Sequence, residues 1–266
     1  MREDSLNQRR RPKLADIVAG KLRSDILTGR LKDGDLLPTQ DALFHEYKVS
    51  LPALRESLRI LESEGLITVR RGNVGGAVVH APSPQHAADM IAMVLQTRNA
   101  SPNDVSGALR QLEPMCAQMC AARADRAEVV VPALMESIEQ QRVLVAEHHE
   151  FLDASAQFHD RVVSSCGNEP LIVVTRALET IWEAHASAVW SVVVDGFHPG
   201  VEPASPLAQK TRLSAVRAHA ALVDAISSGD GQRAARLSRA HLDKAHDVAL
   251  RADLDAPVNA GLVSDR

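Results

Sequence analysis

Aromatic residues are scarce: Phe, Trp and Tyr together make up 3% of the chain. That excludes an aromatic-rich surface for stacking sugars or unpaired bases. No apolar run approaches the roughly 20 residues a membrane-spanning helix needs, and the first residues lack the charged-then-apolar pattern of a secretion leader. Only three cysteines occur, Cys116, Cys120 and Cys166. An odd, small set is no disulfide framework, and the expected compartment is the reducing cytoplasm. An excess of positive charge is missing too, with 30 Lys+Arg against 34 Asp+Glu and a net charge of −4. A uniformly basic coat is excluded, so any nucleic-acid site must be local. What is present is 266 residues, 45% of them hydrophobic, enough for one large or two ordinary domains with real cores.

The charge is unevenly spread. Residues 1–80 hold 14 Lys+Arg and 11 Asp+Glu, whereas the remainder holds 16 and 23. A basic first third on an acidic remainder predicts two domains with different partners, the first suited to a polyanion. Between them, His80-Ala81-Pro82-Ser83-Pro84 interrupts regular structure and predicts a stiff connector over residues 81–86. Residues 1–12, with Arg9-Arg10-Arg11, have no apolar periodicity and read as a disordered basic arm able to add phosphate contacts.

Within residues 13–80, Leu14, Ile17, Val18, Leu22, Ile26 and Leu27 recur at three and four, the stripe of an amphipathic helix ending near Gly29. Thr39 can cap a short second helix carrying Ala42, Leu43 and Phe44, which ends around Tyr47-Lys48. Ser50 can cap a third, with Leu51, Pro52 and Ala53 in its first turn and Leu54, Leu58 and Leu61 buried. Two helices joined by a short turn, over about residues 40–59, make a helix-turn-helix whose last helix suits a major groove. Next, Leu66–Arg70 is strand-like, Arg71-Gly72-Asn73-Val74-Gly75-Gly76 is a glycine turn, and Ala77–His80 is a second strand. Together they predict a β-hairpin wing with arginines at its base.

This order, and the wording Gly34-Asp35-Leu36-Leu37-Pro38-Thr39, Val49-Ser50, Leu54-Arg55-Glu56-Ser57-Leu58, Leu61 to Ile67 with Gly65, and Arg70-Arg71-Gly72, resembles the winged helix-turn-helix of GntR-type bacterial transcription regulators. The resemblance implies DNA contact by Thr39, Ser50, Leu51, Ala53, Arg55, Arg70, Arg71 and Gly72. Arg55 would meet guanine O6 and N7 or a phosphate, Arg71 and Gly72 the minor groove, and Arg70 a phosphate. A surface ion pair with Glu56 is the competing reading of Arg55. The chain departs from the pattern at Leu51, where such proteins usually carry arginine, and at Gln40-Asp41. The leucine can meet a thymine methyl instead, which shifts the expected operator toward A·T pairs.

Beyond residue 85 the pattern is one helix after another, with spans expected over 85–98, 104–124, 128–148, 149–166, 170–194, 210–228 and 231–252, and Asp104 and Asp230 as caps. The fold class is therefore mainly α: a winged helix-turn-helix of three helices and a hairpin wing, then an all-α bundle of six or seven helices. Leu109-Arg110-Gln111-Leu112-Glu113-Pro114 with Ala121-Ala122-Arg123, then Phe158-His159, Gly167 to Leu171, His219, Gly229-Asp230 and His241-Leu242 resemble, in order, the FCD ligand-binding domain of the FadR subfamily. That assigns an effector-binding and dimerisation domain to residues 87–252 and leaves 253–266 as a tail.

The resemblance implies a metal held by His159, His219 and His241, a neutral imidazole set that suits Zn²⁺ or Ni²⁺. His219 shares a helix face with Leu222, Val223 and Ile226, and His241 one with Leu237 and Ala234, so both face inward. Hydrogen-bonded core histidines are the competing reading. Ser155 stands where such domains carry an Asp or Asn ligand, and water or an effector carboxylate can complete the set instead. Arg110 is a second carboxylate anchor, or else a salt bridge to a bundle acid such as Glu113. Met115, Cys116, Met119 and Cys120 read as core packing; Trp182 and Trp190 line either a cavity or a dimer seam; His148-His149 reads as helix surface.

The resulting expectation is a cytoplasmic repressor, homodimeric on a pseudo-palindromic double-stranded operator, answering to a small acidic metabolite, with no membrane partner and no enzymatic activity. One rival class is a metal-dependent hydrolase, for which the sequence shows no recognisable general base near the histidines, Ser155 being the only close polar group. The other is a helical interaction module that no longer binds DNA.

Overall fold

The computed structural model describes residues 13–70, 76–194, 206–250 and 257–264, with side chains placed for all but residue 148 and residues near the ends of the last three ranges. The arm 1–12, the wing residues Arg71 and Gly72, the Trp190 side chain and residues 251–256 lie outside them. The chain divides into two compact units, residues 1–86 and 87–266.

In the first unit, α1 (Leu14–Leu27), α2 (Gln40–Tyr47) and α3 (Leu51–Ser63) precede β1 (Ile67–Arg70) and β2 (Gly76–Val79). The caps follow the sequence: Thr39 Oγ1 accepts the Ala42 N–H at 3.2 Å and Ser50 Oγ accepts the Ala53 N–H at 3.4 Å. Each satisfies a donor that the first helical turn leaves unpaired. Helix α2 ends on Lys48 in the left-handed region (φ 51°), and α3 is followed by Gly65 at φ 72°. The strands pair antiparallel from Ile67↔Val79 to Arg70↔Gly76. A third extended segment, missed in the sequence, closes the sheet: Leu36 bridges Val78, and the Leu37 N–H donates to the Ala77 carbonyl at 2.8 Å.

The core of this unit is narrower than the periodicity suggests. Val18, Ala19, Leu22 and Ile26 of α1 pack on Leu43, Leu54, Leu58, Leu61, Ile67 and Val79. Leu14, Ile17, Leu27, Ala42 and Phe44 are exposed. A three-helix unit of this size offers α1 and α2 one buried stripe each, so neighbouring apolar positions fall outside it.

The second unit is all-helical: α4 (Pro84–Thr97), α5 (Pro102–Ala122), α6 (Val131–Val143) preceded by a π-helical turn at Arg126–Val130, α7 (His148–Ser164), α8 (Glu169–Val194), α9 (Pro206–Ser227), α10 (Gly231–Leu250) and α11 (Ala260–Ser264). Helix α5 is central and packs on α7, α8, α9 and α10. It starts two residues before the expected place, because Ser101 is the cap and Asp104 its capping-box partner, a reciprocal arrangement that satisfies two end donors. Asp230 caps α10, accepting the Arg233 N–H at 2.9 Å. The connector is shorter than 81–86: α4 starts at Pro84, a residue that suits a first helical turn, and the Ala81 N–H is held by Asp33 at 2.9 Å.

The tail is a correction. Val258 and Val263 are fully buried with Ala88, Ala92, Ile181 and Trp182 in a second core of the bundle. The Val258 N–H donates to the Ala100 carbonyl and the Asn259 N–H to His185 Nε2, both at 2.8 Å. Only eight described residues carry this docking, too few to show a helical period in the sequence.

Candidate functional site

On the first unit, the outward face of α3 bears Leu51, Pro52, Arg55, Glu56 and Arg59, all exposed. The opposite face, Leu54, Ser57, Leu58 and Leu61, is buried, so packing fixes which side chains α3 can offer a groove. Glu56 pairs with Arg59 at 3.8 Å, not with Arg55. Ser50 and Thr39 spend their hydroxyls on caps, Ala53 is half-buried, and Arg70 is exposed on β1.

In the bundle, His159 of α7, His219 of α9 and His241 of α10 converge, with one nitrogen from each ring within 4.8 Å of the others. His219 Nε2 lies 3.0 Å from His241 Nε2, which lies 3.3 Å from His159 Nε2. Two outer nitrogens are already taken. His159 Nδ1 donates to Glu113 Oε1 of α5 at 2.8 Å, and His219 Nδ1 donates to Gln141 Oε1 of α6 at 2.7 Å. Five helices thus converge on one point. The outer bonds fix the tautomers of His159 and His219, leaving the Nε2 lone pairs of those two rings aimed at the centre. Phe158, fully buried, stacks on the His219 ring with centroids 4.1 Å apart and holds its plane.

Electrostatics favour neutral rings at His219 and His241. Burial pushes His219 well below the ordinary imidazole range, and burial with the nearby His159 takes His241 down to about 3. Burial also opposes a charge on His159, but the Glu113 carboxylate outweighs it and raises that group. Glu113 is 2% exposed and accepts a second hydrogen bond from Ser238 Oγ at 3.3 Å. On α8, burial together with Glu113 lifts the Glu179 carboxyl well above the usual range, and its Oε1 has no protein partner.

Three converging imidazoles, two of them with their tautomers fixed by outer hydrogen bonds, fit a divalent first-row metal. Ser155 lies half-buried on α7, four residues before His159. Arg110 pairs with Asp243 of α10 at 3.5 Å; the expected alternative partner, Glu113, is committed to His159. Gln141 and Glu179 went unrecognised in the sequence, since no local pattern separates a buried Gln or Glu from a surface one. Glu113 stood out only within the Leu-Glu-Pro wording.

The three cysteines are free and buried. Cys120 donates its thiol to the Val162 carbonyl at 3.2 Å, and burial pushes it up to about 12, so it packs as an inert core residue. Trp182 lies in the interior against His246, centroids 4.2 Å apart, and His149 is exposed.

A helix-turn-helix unit with a two-stranded hairpin, followed by an all-helical bundle in which three imidazoles converge, is the architecture of a ligand-modulated DNA-binding regulator. Residues 14–78 match the gntR family of bacterial regulatory proteins, and residues 104–244 match the FCD domain. The chain therefore belongs to the gntR-type transcription regulators that carry an FCD domain. It is 24% identical over 237 residues to the HTH-type transcriptional repressor NanR of Cronobacter sakazakii, covering 88% of this chain and 84% of that one. It is also 25% identical over 171 residues to the Uxu operon regulator of Haemophilus influenzae, where the match spans 64% of this chain and 60% of the relative. Among solved structures, Streptococcus agalactiae GntR aligns with a TM-score of 0.65 at 17% identity, over 88% of this chain and 99% of that one. Among the described residues no helix is long and apolar enough to cross a membrane.

Proposed function

We propose that the protein is a cytoplasmic repressor of the FadR subfamily, homodimeric on a pseudo-palindromic operator, released or retained by a small carboxylate bound in the bundle. The observation that carries the effector half is the converging imidazole set with Glu113 and Gln141 behind it. When bound, Zn²⁺ or Ni²⁺ supplies an open coordination position that attracts an anion. His159, His219 and His241 hold it; Glu113 and Gln141 orient the first two rings. Ser155 and Arg110 are assigned to the effector, Arg110 as a carboxylate anchor by its charge.

Operator binding is assigned to Thr39, Ser50, Leu51, Ala53, Arg55, Arg70, Arg71 and Gly72. One winged unit buries little DNA, whereas two units on a two-fold operator gain from the linkage. The effector acts by binding one arrangement of the two units better than the other. Parallel titrations test this reading: metal content and uptake of untagged protein, and operator affinity with and without candidate carboxylates. Less than a tenth of an equivalent of transition metal, with no uptake on titration, rejects the metal. A stable monomer in sedimentation at micromolar concentration rejects the dimer.

A further inference from the structure

We infer that the first turn of α3 reads a thymine 5-methyl group, and that this contact is the main base-discriminating element of the operator half-site beside a guanine met by Arg55. The inference rests on the DNA-binding reading of the winged unit and adds to it a base identity and the residue that selects it.

A helix N-terminus normally offers backbone N–H groups to phosphate. Here that capacity is largely removed. Pro52 has no N–H, the Ala53 N–H is taken by Ser50 Oγ, and the Leu54 N–H donates to the Ser50 carbonyl at 3.0 Å. Of the first helical residues, only Leu51 keeps an N–H for an incoming oxygen. The first turn also has no acidic residue, and neither Leu51 nor Pro52 is a cation. What it presents is carbon: Leu51 is 40% exposed and Pro52 is exposed beside it. Beside the cap lies a groove lined by Phe44, His45, Lys48, Val49 and Ser50, and its Phe44 is itself exposed.

In the major groove the one apolar feature that distinguishes a base pair is the thymine methyl. A donor-poor, carbon-rich tip complements that group and no other base edge. Arg55 follows one turn later on the same face, exposed, while Arg59 is already paired with Glu56. The four residues from Leu51 to Arg55 advance about 6 Å along the helix axis, or about two base-pair steps. The half-site is thus expected to hold a thymine and, about two steps away, a guanine.

The test uses the full chain and an operator selected from random DNA. Each thymine in the selected half-site is replaced in turn by deoxyuridine, which removes only the methyl group. At one thymine the wild type is expected to bind about fourfold more weakly, the value of one buried methyl. In Leu51→Ala the same replacement should change affinity less than 1.5-fold. Leu51 is exposed, so this variant folds, and an unchanged salt dependence checks that the phosphate contacts remain. At the guanine, 7-deazaguanine should weaken the wild type but not Arg55→Ala. No thymine sensitive to deoxyuridine, or a sensitivity that survives Leu51→Ala, overturns the inference while leaving DNA binding intact. Selection that enriches no sequence overturns the DNA-binding reading itself and this inference with it.

Discussion

Replacing Glu113 by Gln probes the bundle site at a residue that touches no metal. The carboxylate lies 2.8 Å from His159 Nδ1 and is almost wholly buried, so its charge acts on the imidazole with little screening. An amide keeps the shape and one acceptor oxygen but loses the charge that raises His159. Outer-sphere partners of this kind are worth about 10–100-fold in metal affinity, or about 1.4–2.7 kcal/mol. The loss should appear as a lower Zn²⁺ affinity in competition with a chromophoric chelator, with unchanged stoichiometry. The Gln variant also removes a negative neighbour of Glu179, whose carboxyl should then titrate lower. A Zn²⁺ affinity within twofold of wild type would refute the argument, because Glu113 would then be only a satisfied core residue.

Other outcomes follow from the same contacts. In metal-free protein, His219 and His241 titrate lower folded than the 6.5 of a free imidazole, so the unfolded chain binds their protons more readily. The stability this confers is present above about pH 6.5 and lost as pH falls toward about 3, while His159, shifted upward, offsets part of it. Denaturant midpoints measured from pH 7.5 to 4.5 should therefore fall less steeply in His241→Asn than in wild type; equal slopes would contradict the assignment. Ending the chain after Ala256 removes the buried Val258 and Val263, and should destabilise the bundle by roughly 3 kcal/mol; an unchanged thermal midpoint would show the docked segment to be inert. Arg70→Ala should lower the slope of log affinity against log salt by about 0.9 for each half-site if it meets one phosphate, whereas Arg55→Ala should relax base preference instead.

The winged unit was legible because its signals are local. Thr39 and Ser50 cap where their hydroxyls reach the third residue on, Pro52 fits a first turn, and glycines mark the helix end and the wing. Its periodicity overcounted the core at Leu14, Ile17 and Phe44, since spacing shows a stripe but not how wide a neighbour covers it. The third wing segment was hidden because one bridge at Leu36 has no alternation to read. In the bundle, helix spans were legible from long runs, and the histidines from motif order. Their partners Glu113 and Gln141 come from two further helices, and such contacts between positions 46 and 78 residues apart in sequence leave no periodic trace. The docking of Val258 and Val263 is hidden for the same reason.

The most direct test is capture of genomic DNA fragments by the purified full chain at two salt concentrations. The account predicts a two-fold symmetric sequence, enriched at low salt and weakened steeply as salt rises, with affinity changed by adding the metabolite of a neighbouring operon. Fragments bound without a shared sequence, or none bound at either salt, would contradict it and leave the winged unit as an interaction module.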